Sequence, residues 1–233
     1  MIKRYFQDHL KRNFSVATMW IKGGSDMDST CKKGINHILC SLLTRGCKGF
    51  NNLKLSEYVE SYGAELNHEV FEDGMFISIK SLNVHFSKLF PLIDLIVKNP
   101  ILSEIQFETV KKSTLDSIKK EKENPFNSSF EKWRKIVYSN HPYAFNTIGY
   151  EEDVSQITYK DIKVEYEKFK RRKKYLISNN IFIKGEYLKI SDSKITRDKI
   201  SYSNNGLNLE NRFVCSHNQS NQTIIMLGNQ TCS

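Results

Sequence analysis

The chain has 233 residues, of which 39% are hydrophobic and 12% aromatic, with 14 Phe and 11 Tyr. That is more core-forming material than a disordered chain carries. Its 35 basic and 26 acidic side chains leave a net charge of +9, an excess that permits attraction to polyanions or acidic peptides and identifies neither.

At the start, Met1 to Asn13 has basic residues but no apolar central segment and no small-residue cleavage site, so no secretory leader is expected. Ser15 to Lys22, closed by Gly23 and Gly24, reads as a buried strand followed by a turn. The spacing of Ile35, Ile38, Leu39, Leu42 and Leu43 predicts a helix with its stripe toward the core, stopped near Gly46. At about 100° per residue, His37, Cys40 and Ser41 fall on the side away from that stripe, where solvent or a cleft is expected. Leu55, Tyr58, Val59 and Tyr62 predict a second helix ended by Gly63. The segments 64–71 and 75–82, separated by Glu72, Asp73 and Gly74, predict an antiparallel hairpin.

An apolar helix is expected over 84–98, which is also the nearest approach to a membrane span. Pro91 and Asp94 interrupt its apolar run well short of roughly 18 residues. Ser103 with Gln106 predicts the capped start of a long helix to about Lys122, ended by Pro125. Phe130, Trp133, Ile136 and Val137 mark another helix, and Thr158 with Asp161 caps one more through Ile162, Tyr166 and Phe169. A strand is expected within 175–184, centred on Ile181, Phe182 and Ile183. Strands and helices mixed in this way, with a hairpin among them, favour an α+β fold with an antiparallel sheet. From Gly185 to about Arg212 apolar periodicity fades, which reads as a linker, and Thr223 to Gly228 reads as one more strand. Five cysteines at irregular spacings predict reduced thiols and a cytoplasmic setting.

Several of these segments, in order, resemble peptidase family M16, the insulinase, pitrilysin and mitochondrial processing peptidase family. Trp20 to Ser25 resembles its strand ending in Gly-Ser, and Gly34 to Ser41 its Gly-Leu-Ala-His-Phe-Leu-Glu-His helix. Tyr62 to His68 resembles its Gly-Gly-x-x-Asn-Ala strand, and His141-Pro142-Tyr143 with Gly149 its His-Pro-Tyr and Gly elements. The resemblance implies an antiparallel sheet with helices on one face over residues 1–185, a linker over 186–212, and the opening strand of an incomplete second module over 213–233.

In active members the helix reads His-x-x-Glu-His: two histidines one turn apart hold zinc, the glutamate activates water, and a later glutamate completes the site. Here the corresponding positions are His37, Cys40 and Ser41, with Ser117 at the later one. One imidazole and one hydroxyl without a carboxylate make no hydrolytic zinc site, so no catalytic residue, no bound metal and no cofactor are expected. The resemblance implies a truncated, catalytically empty subunit that pairs, as a heterodimer, with a zinc-bearing relative and binds peptide along the strand edge around Asn67 and His68.

The competing readings are a zinc endopeptidase with a rebuilt metal site, a non-functional gene fragment, and a polyanion-binding module using the basic run Lys168 to Lys174. A new zinc site joining His37 and Cys40 to Cys31 or Cys47 would need spacings that match no familiar pattern. For the basic run, a solvated helix end outweighs a nucleic-acid patch, because cations complement a helix C-terminus and no nucleic-acid motif accompanies them.

Overall fold

The computed structural model describes residues 2–6, 13–139, 141–180, 188–189, 215 and 223–228. Among these, six strands form one sheet in the order β3-β4-β2-β5-β1-β6. They are β1 (Ile2–Phe6), β2 (Phe14–Lys22), β3 (Glu65–Val70), β4 (Gly74–Leu82), β5 (Lys174–Ser178) and β6 (Leu188–Lys189). The helices are α1 (Ile35–Leu43), α2 (Asn52–Ser61), α3 (Asn83–Lys98), α4 (Glu104–Glu123), α5 (Pro125–Val137), α6 (Glu151–Gln156) and α7 (Tyr159–Arg171). The fold is α+β.

β2 shows why one face of the sheet is covered. Ser15, Ala17, Met19 and Ile21 are buried while Val16, Thr18 and Trp20 between them are half-buried, the period of two that a strand with one packed face requires. β4 lies antiparallel to β2 and repeats the pattern with Met75, Ile77, Ile79 and Ser81. Against this face α3 packs on β2 and β4, and α1 on β3 and β4. The core joins Met19, Ile21 and Ile77 to Leu39, Leu42 and Phe86, each with no exposed surface.

β1 is not among the elements expected from the sequence. Ile2–Phe6 runs parallel to β5 on one side and to β6 on the other, making an otherwise antiparallel sheet mixed. The charge is accommodated locally: Arg4 pairs with Asp94 of α3 at 3.3 Å, Tyr5 stacks on Tyr175, and Ile2 packs against the core.

The strand expected around Ile181 is placed earlier, at Lys174–Ser178, and residues 181–183 lie outside the described residues. Side chains end the ladder there. Asn179 Oδ1 accepts the Val16 N–H at 2.7 Å, and Asn180 Nδ2 donates to Ser15 Oγ at 2.6 Å. Within the expected linker 186–212, Leu188 and Lys189 form β6, and the other residues lie outside the description. Thr223 to Gly228, expected as a strand, is irregular and pairs with no described strand; its Gly228 lies against the Trp133 indole of α5.

Two caps that look alike in sequence behave differently. Thr158 and Asp161 form a reciprocal capping box at α7. Ser103 occupies the N-cap of α4 but makes no side-chain cap bond, and Gln106 Oε1 is buried without a partner.

Candidate functional site

The site is built around α1, whose start is fixed by a backbone contact and a buried carboxylate. Gly34 has φ +94 and Gly149 has φ +89, and they face each other: a Cβ on Gly34 would meet Ile148 O at 2.4 Å, and one on Gly149 would meet Lys33 O at 2.3 Å. Only glycine meets both demands, positive φ and close approach. The two glycines that carried separate parts of the family pattern therefore touch. Asp28, 6% exposed, then satisfies the first turn. Its carboxylate accepts the Gly34 N–H at 2.7 Å, the Asn36 N–H at 3.2 Å and Asn36 Nδ2 at 2.7 Å. Burial pushes its pKa up to about 6 against these three bonds.

The side of α1 away from its apolar stripe does not open to solvent. α1 packs against β3 and β4 as well as α4 and α7, so every α1 residue except the half-buried His37 is buried. Cys40 has no exposed surface, its Sγ lies 3.9 Å from Phe76 O of β4, and burial pushes its thiol pKa up to about 12. It is a protonated, inert thiol at neutral pH.

Ser41 Oγ lies 2.8 Å from His68 Nε2, and Thr44 Oγ1 lies 3.2 Å from His68 Nδ1. Thr44 donates its own proton to Ser41 O at 3.0 Å, so toward His68 it can only accept. That assigns the proton to Nδ1, leaves Nε2 as acceptor and makes Ser41 the donor. Burial, and then the charge of Arg45, lower the His68 pKa, and burial with His68 beside it lowers His37 to about 4. Both imidazoles are neutral at neutral pH.

Ser117 is exposed on α4, whose buried side carries Phe107, Val110, Thr114 and Ile118 and no carboxylate. The structure thus brings Ser41 to His68 and sets His37 close enough to feel it, while Ser117 faces outward. Among the described residues no three His, Cys, Asp or Glu side chains converge in a way that could hold a metal ion. The donor set does not fit a hydrolytic zinc: the Cys40 thiol is fully buried against Phe76 O, the Ser41 hydroxyl is committed to an imidazole, and neither Cys40 nor Ser117 is a carboxylate that could activate water or complete the site.

β3 forms one edge of the sheet. Phe71 N donates to Gly74 O, so by alternation the ladder bonds to β4 come from residues 65, 67 and 69. The backbone groups of Leu66, His68 and Val70 point outward along the open edge. The two residues expected at this edge divide its roles. Asn67 spends its backbone on β4 and exposes its side chain, whereas His68 offers its backbone outward and turns its side chain to α1. The alternation of Leu66, His68 and Val70 already puts His68 on the helix-covered face. No local signal announces Thr44 or Asp28.

The hairpin tip beside this edge is tied down. Tyr143 OH donates to Asp73 at 2.5 Å, Arg134 Nη2 pairs with Glu72 at 2.5 Å, and Arg134 also donates to the carbonyls of Tyr143 and Phe145. The His-Pro-Tyr segment serves here as a strut: His141 Nδ1 accepts the Tyr143 N–H at 3.2 Å and shapes the turn that delivers the tyrosine.

Comparison with known proteins agrees with this geometry. The family model for insulinase (peptidase family M16) matches residues 6–151. The chain is 23% identical over 148 residues to the mitochondrial-processing peptidase subunit beta of Homo sapiens, and equally to that of Rattus norvegicus, an alignment covering 64% of this chain and 30% of each relative. Among solved structures, the peptidase M16 inactive domain from Pseudomonas fluorescens superposes with a TM-score of 0.67 at 18% identity, covering 76% of this chain and 44% of that one. Pitrilysin gives 0.65 at 15% identity, covering 75% and 20%. The chain therefore spans less than half the length of these relatives. With an ordered set of motifs, a shared fold and a family model matching most of its described residues, the chain belongs to the insulinase family, peptidase family M16.

Proposed function

We propose that the chain is a non-catalytic member of this family that binds extended peptide and pairs with an active zinc peptidase subunit in the cytoplasm. The observation that carries it is the Ser41, His68 and Thr44 network, which fills the place of the second metal-binding histidine with neutral groups bonded to one another. The open edge of β3 supports peptide docking, because outward N–H and C=O groups at alternate residues are what strand addition uses. Pairing is supported by the relatives: one is a subunit by name, and one solved domain is described as inactive. The cytoplasmic setting rests on the unpaired thiols of Cys31, Cys40, Cys47 and Cys215.

The test has two arms on one purified sample. After zinc loading and dialysis, elemental analysis should find no stoichiometric zinc, and an unstructured peptide should stay intact. Stoichiometric zinc in the wild type that is lost in His37→Ala would instead establish a rebuilt metal site. A fluorescently labelled extended peptide should raise anisotropy with the wild type and not with Leu66→Pro, which deletes one outward N–H and leaves the ladder bonds to β4 in place. Equal binding by both would move the peptide site away from this edge. Co-purification with a His-x-x-Glu-His-bearing relative tests the pairing.

A further inference from the structure

The basic run at the end of α7 has a part that its sequence position does not suggest. Lys170, Arg172 and Lys174 line a cavity of about 470 Å³ together with Arg4 of β1 and Lys98 at the end of α3. Ile2 and Val97 complete the lining, and no acidic residue takes part in it. The volume is within the range of small-molecule sites, roughly 300 to 1,000 Å³.

Cations at helix ends ordinarily serve the helix, and that need is met here by other groups. Lys174 Nζ spends its three protons on the carbonyls of Phe169, Lys170 and Arg172, at 2.7, 3.1 and 3.2 Å, which closes the end of α7. Tyr166 OH reaches Val97 O and Lys98 O at 3.4 and 3.1 Å, at the end of α3. On the Arg4 and Lys98 side the cations are in excess of their partner. Asp94 alone is shared by Arg4 at 3.3 Å and Lys98 at 2.8 Å. Glu165 is shared by Arg172 and Lys168, at 2.5 and 3.0 Å, and Glu167 pairs with Lys170 at 2.5 Å. Burial, and then the charge of Arg172, push the Lys174 pKa down to about 8.

We propose that this cavity binds a small molecule carrying a phosphate or diphosphate group. Arg4 supplies a guanidinium whose planar fork matches phosphate oxygens, and the half-exposed Lys98 and Lys170 supply mobile charge at the mouth, while Arg172 and Lys174, already bonded, add fixed positive charge to the wall. The half-open cavity, with cations converging from four elements, suits a compact anion; a nucleic-acid backbone would call for an extended stripe of charge.

Inorganic pyrophosphate is the probe, titrated calorimetrically into the whole chain. Saturable one-to-one binding is expected, and Lys98→Gln combined with Lys170→Gln should weaken it about tenfold or more, as the loss of charge-assisted bonds implies. Both side chains are about half exposed, at 51% and 47%, so the fold should be retained, which circular dichroism checks. A control carrying Lys54→Gln and Lys120→Gln, on exposed faces of α2 and α4, should bind as the wild type does. Absence of saturable binding, or an equal loss in the control, would overturn the proposal. So would a single-stranded oligonucleotide that binds in place of pyrophosphate and loses affinity in the same double variant.

Discussion

Asp28 shows how much can rest on one carboxylate that no motif announces. It holds the first turn of α1 by three hydrogen bonds, at a depth where ionisation is costly. Because its folded pKa, about 6, lies above the ordinary aspartate range, the folded state binds the proton more tightly than the unfolded state does. Its contribution is therefore fully present below the unfolded pKa and is lost as pH rises through the folded one, by about 3 kcal/mol in all. In urea melts between pH 4 and pH 7, the stability of the wild type relative to Asp28→Asn should fall as pH rises; a flat difference would show that Asp28 is not the group responsible. Ser41 gives a smaller effect. Ser41→Ala leaves His68 Nε2 without its donor, and should cost about 1 kcal/mol in the same assay.

Between elements, contacts far apart in sequence decide where the helices sit. Gly149→Ala should destabilise by at least about 2 kcal/mol, adding positive-φ strain to a collision with Lys33 O. Chemical melting measures this, and a neutral result would mean that the loop shifts without cost. Glu165 and Arg172, with side chains 4% and 7% exposed, join α7 to the turn after β2, since Arg172 also donates to Gly23 O at 3.0 Å. Glu165→Gln leaves the guanidinium without its compensating charge and should cost about 3 kcal/mol. The elements most legible in the sequence were those with a local cause: the period of two in β2, the apolar stripe of α1, the Glu72-Asp73-Gly74 turn and the Thr158 cap. β1 was not legible, because Arg4 becomes tolerable in a strand only when α3 brings Asp94 to it. At the replaced positions of the site, Cys40 and Ser41 could be read as departures from the family pattern on α1, and Ser117 as one on α4. What fills them could not, because His68 and Thr44 meet Ser41 only after the hairpin has folded onto the helix.

At the scale of the whole molecule, the sheet is, among the described residues, covered on one face and open along β3. Amide hydrogen exchange should follow the alternation of that edge, with Leu66, His68 and Val70 exchanging faster than Asn67 and Glu69. Bound peptide should slow the first set and leave the second unchanged. Uniform protection along β3 would mean that the edge is already occupied.

The placement of β1 has a consequence for the order in which the molecule can be assembled. Its sheet neighbours are β5 and β6, which begin at residues 174 and 188. On a ribosome adding about 5 to 20 residues each second, β1 waits on the order of ten seconds or longer for its first neighbour. β2, β3 and β4 can pair as soon as residue 82 has emerged. A nascent chain halted near residue 150 should therefore resist protease across the hairpin and be cut within β1, and that cut should vanish once β5 has been released.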